Sequence, residues 1–248
     1  MAAPLISIII VCRNPGRNLP AALDSVWNQP GLDFEILVID GESTDGSRAW
    51  LEAHRNRLGW FVSEPDRGVY DAMNKGLAAA KGTWVIFLGA DDRLEKGVLA
   101  SVESCLAQTV AGVVAGEARY DDGRVYRFSG TSGAIRRNFL HHQATFYRRA
   151  LFEAHGGFLP DLRIMADYEL NLRLMQAGIS FQLMPLRVAT CGTGGLSDGG
   201  SWIVYREEIR VRHRYFPVWR CWGWDALSVV RYFRKKIVRI FARPERRD

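Results

Sequence analysis

Two adjacent carboxylates, Asp91 and Asp92, follow the apolar run 84–88 (Trp-Val-Ile-Phe-Leu), which lies between Gly82 and Gly89. A short continuous apolar run of this kind predicts a strand buried on both faces of a parallel sheet. The pair then falls at the carboxyl end of the strand, where open α/β sheets bind ligands. Two carboxylates held together there repel each other. A hard divalent cation between them and an anionic group such as a diphosphate would relieve that repulsion. A solvated Asp-Asp turn closing a strand is the competing reading, and the pair alone leaves both open. A third carboxylate, Asp40, ends another apolar run, in Asp-Gly-Glu-Ser-Thr-Asp-Gly-Ser. A fourth, Asp167, lies just inside a predicted helix N-terminus, where the helix dipole keeps a carboxylate ionised. A plain helix cap is the simpler alternative for Asp167.

Several elements must position these side chains. Residues 5–11 are a β-branched run and predict the first strand, which ends in the turn Cys12-Arg13-Asn14-Pro15-Gly16. The turn holds no Gly-x-Gly-x-x-Gly, which disfavours a dinucleotide site. Residues 18–28 read as a helix with Leu19, Leu23 and Val26/Trp27 on one face. Residues 34–39 are the second strand, and Asp45 is placed to cap a helix reaching residue 54. A short strand at 60–63, an alanine-rich helix at 69–81 and the run 84–88 follow. This β-α-β-α-β-α-β order predicts a three-layer α/β/α fold around a mainly parallel sheet. The second half is less regular. It reads as strands at 110–115 and 124–128 around an Asp121-Asp122-Gly123 turn, then helices at 148–155 and 166–176 and a strand at 179–184. The glycine-rich stretch 192–200 reads as a mobile loop.

The 248 residues, 48% of them apolar, suffice for one large α/β domain with room for an appendage. The four cysteines, Cys12, Cys105, Cys191 and Cys221, are scattered, with no Cys-x-x-Cys pair, which fits a reduced, cytoplasmic compartment. The N-terminus runs straight into a strand, so no signal peptide is expected, and no apolar run is long enough for a transmembrane helix. The net charge of +6 is unevenly placed. Residues 206–248 hold thirteen Lys/Arg against five Asp/Glu, so the rest of the chain is slightly acidic. That argues against nucleic-acid binding by the main body and for a localised anionic partner of the tail.

Taken together, residues 5–200 resemble the family 2 glycosyltransferases of the GT-A fold. The resemblance rests on ordered motifs: Ser-Ile-Ile-Ile-Val-Cys-Arg-Asn, Val-Ile-Asp-Gly-Glu-Ser-Thr-Asp-Gly-Ser, Ser-Glu-Pro-Asp-Arg-Gly-Val-Tyr-Asp-Ala-Met-Asn-Lys-Gly, Phe-Leu-Gly-Ala-Asp-Asp and Ala-Asp-Tyr-Glu-Leu. The third block is similar to bacterial transferases of colanic acid and O-antigen synthesis. The resemblance implies a catalytic domain over 1–200 and an extension over 201–248. It implies that Asp40 bonds the uracil of a UDP-sugar. Asn14, Arg67, Asp71 and Asn74 would contact the nucleotide sugar, and Asp91 would hold ribose or a metal-bound water. Asp92 would bind Mg²⁺ or Mn²⁺ on the diphosphate, while Gly89 stands where the motif often has another Asp. Asp167 would be the base that deprotonates the acceptor, with Ala166 where the family often has Glu and with Glu169 as the rival. One such base implies direct displacement with inversion. His142 resembles the acceptor-side histidine, and Gly194, Gly195 and Ser197 resemble the loop that closes over the diphosphate. His213 is a further candidate for the metal site.

The tail completes the reading. Leu227, Val230, Phe233, Ile237, Val238 and Phe241 fall on one helical arc, and Arg231, Lys235, Lys236, Arg239 and Arg243 fall on the other. With Trp219, Trp222 and Trp224 just upstream, this suits a helix lying in an anionic membrane surface. Packing on the catalytic domain or on a second subunit is the alternative. The resulting expectation is a peripheral enzyme on the inner face of the plasma membrane that moves one hexose or N-acetylhexosamine from a UDP-sugar to a lipid-linked saccharide. A sugar-phosphate nucleotidyltransferase is disfavoured, since the turn after the first strand lacks that class's glycine-rich loop. A catalytically silent scaffold is disfavoured by the joint presence of Asp40, Asp91, Asp92 and Asp167. The chain also lacks the Gln-x-x-Arg-Trp motif of processive synthases, hence the single addition.

Overall fold

β1 (Ile6–Cys12) is buried at every position, and its alternating side chains feed two cores. Ile6, Ile8 and Ile10 meet Leu19, Leu23 and Val26 of α1 (Asn18–Trp27) on one face. Ile9 and Val11 join Tyr70 and Met73 of α3 (Val69–Ala79) on the other. The period-two alternation of a strand thus makes three layers with the sheet in the middle. The computed structural model describes residues 4–31, 33–128, 130–193 and 201–241, the side chains of 239–241 excepted.

β1 pairs in parallel with β2 (Phe34–Asp40) and with β4 (Trp84–Gly89), and β3 (Trp60–Ser63) extends the sheet beyond β2. β8 (Thr145–Arg148) runs antiparallel between β4 and β6 (Val113–Tyr120). β9 (Phe181–Cys191) lies parallel to β6, and the short β5 (Arg93–Leu94) closes the order β3-β2-β1-β4-β8-β6-β9-β5. β7 (Val125–Tyr126) pairs with β6, off this path. β1, β2, β3, β4, β6 and β9 therefore share one direction, and the expected mainly parallel α/β sheet of the GT-A fold is what forms.

α2 (Ser47–Ala53) and α4 (Val98–Gln108) pack on the α1 side. α5 (Arg149–His155), α6 (Ala166–Gln176) and α7 (Trp202–Tyr215) pack on the α3 side. α8 (Val218–Phe241) lies against α7 and is one helix where only its second half was expected.

Some expectations need correction. The strand expected at 110–115 begins at Val113 and runs to Tyr120, leaving Val110 outside the sheet and 96% exposed. β9 runs to Cys191, because its far half pairs with both β5 and the end of β6. Asp45, the expected cap, sits one residue too early: Gly46 takes the cap position with φ 93°, while Asp45 Oδ1 accepts the Ser47 N–H at 3.1 Å.

Candidate active site

The carboxyl ends of β1 and β4, α3, the N-terminus of α6 and the tail helices enclose one cavity of about 770 Å³. That size suits a small-molecule ligand. At the β1 end the backbone is tightly tied. Asn14 adopts φ 51°, its N–H donates to Ser43 Oγ at 2.7 Å, and its Oδ1 accepts the Thr44 N–H at 2.8 Å. Asp40 stands behind this wall, fully buried. It accepts from Ser43 N–H at 3.0 Å, from Ser63 Oγ at 2.6 Å and from the Ser43 hydroxyl. Its oxygens organise the two loops, and Cys12 and Asn14, not Asp40, line the cavity.

Asp91 and Asp92 follow β4, Asp91 exposed on the cavity wall and Asp92 buried. Asp92 accepts from the N–H groups of Gly89 at 2.9 Å and Gly192 at 3.1 Å, and from Gln143 Nε2 at 3.1 Å. Burial, then the neighbouring Asp91, hold its carboxyl above the usual range despite these donors. Two glycines make the space. A Cβ at Gly89 would lie 2.6 Å from Asp92 Oδ2 and 2.8 Å from Asp91 Oδ1, and one at Gly192 would lie 2.9 Å from Asp91 Oδ2. Gly89 is therefore a packing requirement of this acidic pair.

The pair fits a divalent cation. Mg²⁺ commonly takes one or two carboxylates and completes its shell with phosphate oxygens and water. A cation would also offset the two costs that raise Asp92. Among the described residues, no cluster of three or more His, Cys, Asp or Glu side chains could hold a metal without such added oxygens.

Across the cavity, Asp167 occupies the first turn of α6. Its Oδ1 accepts the Tyr168 N–H at 2.8 Å and lies 3.0 Å from the Tyr70 hydroxyl. Its Oδ2 accepts from Asn138 Nδ2 at 2.8 Å and lies 3.3 Å from His142 Nδ1. Burial opposes ionisation, but the donors around it, His142 first, outweigh it and hold the carboxyl below the usual range. An ionised carboxylate facing a cavity is suited to accept a proton.

Of the residues singled out from the sequence, Asn14, Asp91, Asp92, His142 and Asp167 line this cavity together. Glu169 does not, being buried against Arg173 at 2.9 Å and the Tyr215 hydroxyl. Arg67, just before α3, and Asp71 pair with each other at 2.6 Å, and neither lines the cavity. Asn74 bonds both backbone groups of Phe158, at 2.8 and 2.9 Å. The face of α3 that reaches the cavity is that of Tyr70 and Met73. His213 is held by Asp225 at 2.7 Å, away from the acidic pair's cavity. Gly194, Gly195 and Ser197 lie outside the described residues.

Sequence reasoning missed Tyr70, Asn138, Gln143 and the tail wall of Val204, Tyr205, Glu208 and Arg231. The one available signal for that wall was the Glu207-Glu208 pair, an acidic spot within a basic tail.

Fold and site define a glycosyltransferase of the GT-A type. The chain belongs to glycosyl transferase family 2, whose profile matches residues 7–162. A PGL/p-HBAD biosynthesis glycosyltransferase of Mycobacterium bovis is 39% identical over 208 residues, covering 80% of this chain and 81% of the relative. A glycosyltransferase of Mycobacterium tuberculosis is 32% identical over 228 residues, 87% of each chain. Among solved structures, Staphylococcus aureus TarS in complex with UDP-GlcNAc aligns with TM-score 0.71 at 18% identity, over 92% of this chain and 72% of that one. A mannosyltransferase of Pyrobaculum calidifontis in complex with GDP-Man and Mn²⁺ aligns with TM-score 0.63 at 23% identity, over 85% of this chain and 64% of that one.

Proposed function

We propose that this glycosyltransferase is inverting and metal-dependent, and moves one hexose or N-acetylhexosamine from a UDP-sugar to a hydroxyl of a lipid-linked saccharide. The observation that carries this reading is the joint placement of ionised Asp167 and the Asp91–Asp92 pair on the walls of one cavity. The UDP-GlcNAc complex of TarS supports a uridine donor, and the Mn²⁺ of the mannosyltransferase supports a cation. In this reading the nucleotide rests on Arg13 and Asn14, with Asp40 fixing the loop behind them. Asp92 and Asp91 would hold Mg²⁺ or Mn²⁺, which would offset the charge left on the departing diphosphate. The acceptor hydroxyl attacks the anomeric carbon, its proton passes to Asp167, and the bond to the diphosphate oxygen breaks with its electron pair. Attack opposite the leaving group inverts the anomeric centre. His142 holds Asp167 in place beside the acceptor.

The acceptor side is built partly from α7 and α8, which supports an amphiphilic acceptor met at an anionic membrane surface, on its cytoplasmic face. No helix among the described residues is long and apolar enough to cross a membrane.

The deciding experiment is a thermal-shift panel of UDP-, GDP- and dTDP-sugars with and without Mn²⁺, with Asp92→Ala as the control. Stabilisation by one UDP-sugar, dependent on Mn²⁺ and lost in the variant, is expected. A ligand at a hundred times its Kd adds ~2.7 kcal/mol. Indifference to every nucleotide would bring back the scaffold reading, and a metal-independent response would sink the cation site.

A further inference from the structure

Helix α6 carries Asp167, yet the residue before it, Met165, supplies no side-chain cap. The tail instead holds the loop that leads into the helix. The buried carboxylate of Glu207, on α7, accepts the backbone N–H groups of Arg163 at 3.0 Å, Ile164 at 2.9 Å and Met165 at 3.1 Å. α7 reaches the same region twice more. Tyr215 donates to Glu169, and the fully buried Arg212 donates to the carbonyls of Ile135 and Arg136, just before Asn138. Arg212 is itself held by Glu208 at 3.2 Å and by Asp225 of α8.

One peptide group in this arrangement is bonded at both ends. The N–H of the Ile164–Met165 peptide points at Glu207, and its carbonyl lies 2.7 Å from the Tyr70 hydroxyl. The same hydroxyl is 3.0 Å from Asp167 Oδ1 and has a single proton to give. Burial, and then the Asp167 charge, push Tyr70 well above its ordinary range, so that proton stays on the ring oxygen. An anion on the N–H end of a peptide strengthens its carbonyl as an acceptor, because successive hydrogen bonds polarise one another.

We propose that Glu207 is a positioning residue for glycosyl transfer. Through the Ile164–Met165 peptide it draws the Tyr70 proton to the Ile164 carbonyl, and so keeps Asp167 Oδ1 open for the acceptor's proton. This deepens the reading of Asp167 as the base and rests on it. The donor end of the cavity, at Asn14, Asp91 and Asp92, takes no part in the relay.

The test is a double-variant cycle in the full chain with Glu207→Gln, Tyr70→Phe and the two together. The readout is UDP release, with Mn²⁺, from UDP-glucose or UDP-N-acetylglucosamine, whichever the thermal-shift panel selects. Glu207→Gln keeps its length and an acceptor oxygen, and its UDP-dependent thermal shift reports that it folds. Glu207→Asp, which keeps the charge, is the conservative control and should retain most of the native kcat. The expected result is a fall in kcat of about tenfold, against the ~10²–10⁴-fold that removal of a general base costs, with donor KM unchanged. Tyr70→Phe in the Glu207→Gln background should restore most of that loss, a coupling that two independent structural defects would not give. Additive losses, or a change in KM with kcat intact, overturn the relay. Asp167→Asn separates the two failures, since a variant that still transfers would remove the base assignment itself.

Discussion

Asp167 stays ionised while buried because its two oxygens meet donor groups from Tyr168, Asn138 and His142. Substitution by Asn keeps the shape but removes the charge and the basicity. Asp167→Asn is expected to lower kcat by ~10²–10⁴-fold while leaving the UDP-dependent thermal shift in place. The depressed ionisation of Asp167 also ties stability to pH. A carboxyl held below its unfolded value of about 3.9 contributes stability that is fully present above that pH and is lost as pH falls through the folded value. The gap in urea midpoint between the native chain and Asp167→Asn should therefore narrow between pH 7 and pH 3.5. A gap independent of pH would mean that Asp167 titrates in the folded chain as it does unfolded.

Helix α3 shows how an element delivers these residues. It lies against β1 and β2 closely enough that a Cβ at Gly76 would come 2.5 Å from Ile9 Cγ2 and 2.8 Å from Ile39 Cδ1. Gly→Ala inside a helix ordinarily gains ~1 kcal/mol from propensity. Overpacking typically costs ~1–3 kcal/mol, so the contact should win and Gly76→Ala should lower the urea midpoint. A raised midpoint would show that α3 has room to move outward. The same helix marks the limit of what the sequence makes legible. Apolar runs announced β1, β2, β3 and β4, and the acidic ends of β2 and β4 followed from them. The phase of α3 did not follow: Asp71 and Asn74 share a face, but it is the face of Tyr70 and Met73 that meets the cavity. Helical spacing groups residues without saying which group turns inward. β8 was hidden for a different reason. Only four residues long, it gains its place by pairing with β4 and β6, which are far away in sequence. The contacts of Asn138 and Gln143 with the acidic side chains likewise exist only after chain closure.

At the scale of the molecule, α8 presents opposite sides to two environments. Cys221 and Ser228 are buried, and Arg231 reaches the cavity wall and Glu208. On the other side Trp219, Trp222, Val230, Phe233 and Ile237 are all more than half exposed. Their spacing of three, four and eight residues keeps them on one stripe, and the nineteen residues from Trp219 to Ile237 reach ~27 Å. A continuous apolar stripe of that length is more than a scatter of exposed side chains and marks an interaction surface. Arg234 lies close to it in the helical projection. Each basic group near an anionic lipid surface is worth about 1 kcal/mol, and full burial of a Phe or Ile about 1.5–3 kcal/mol. Neither contribution alone holds a protein of this size for long, but together they suit reversible attachment. Attachment there would bring a membrane-held acceptor to the Arg231 end of the cavity. The full chain should therefore co-sediment with phosphatidylglycerol-containing vesicles, less with pure phosphatidylcholine, and less again at 1 M salt. Phe233→Ser with Ile237→Ser should release it while leaving the UDP-dependent thermal shift untouched. A chain that ignores both kinds of vesicle, and that sediments as a dimer broken by the same two substitutions, would assign the stripe to a second copy and leave the acceptor to arrive from solution.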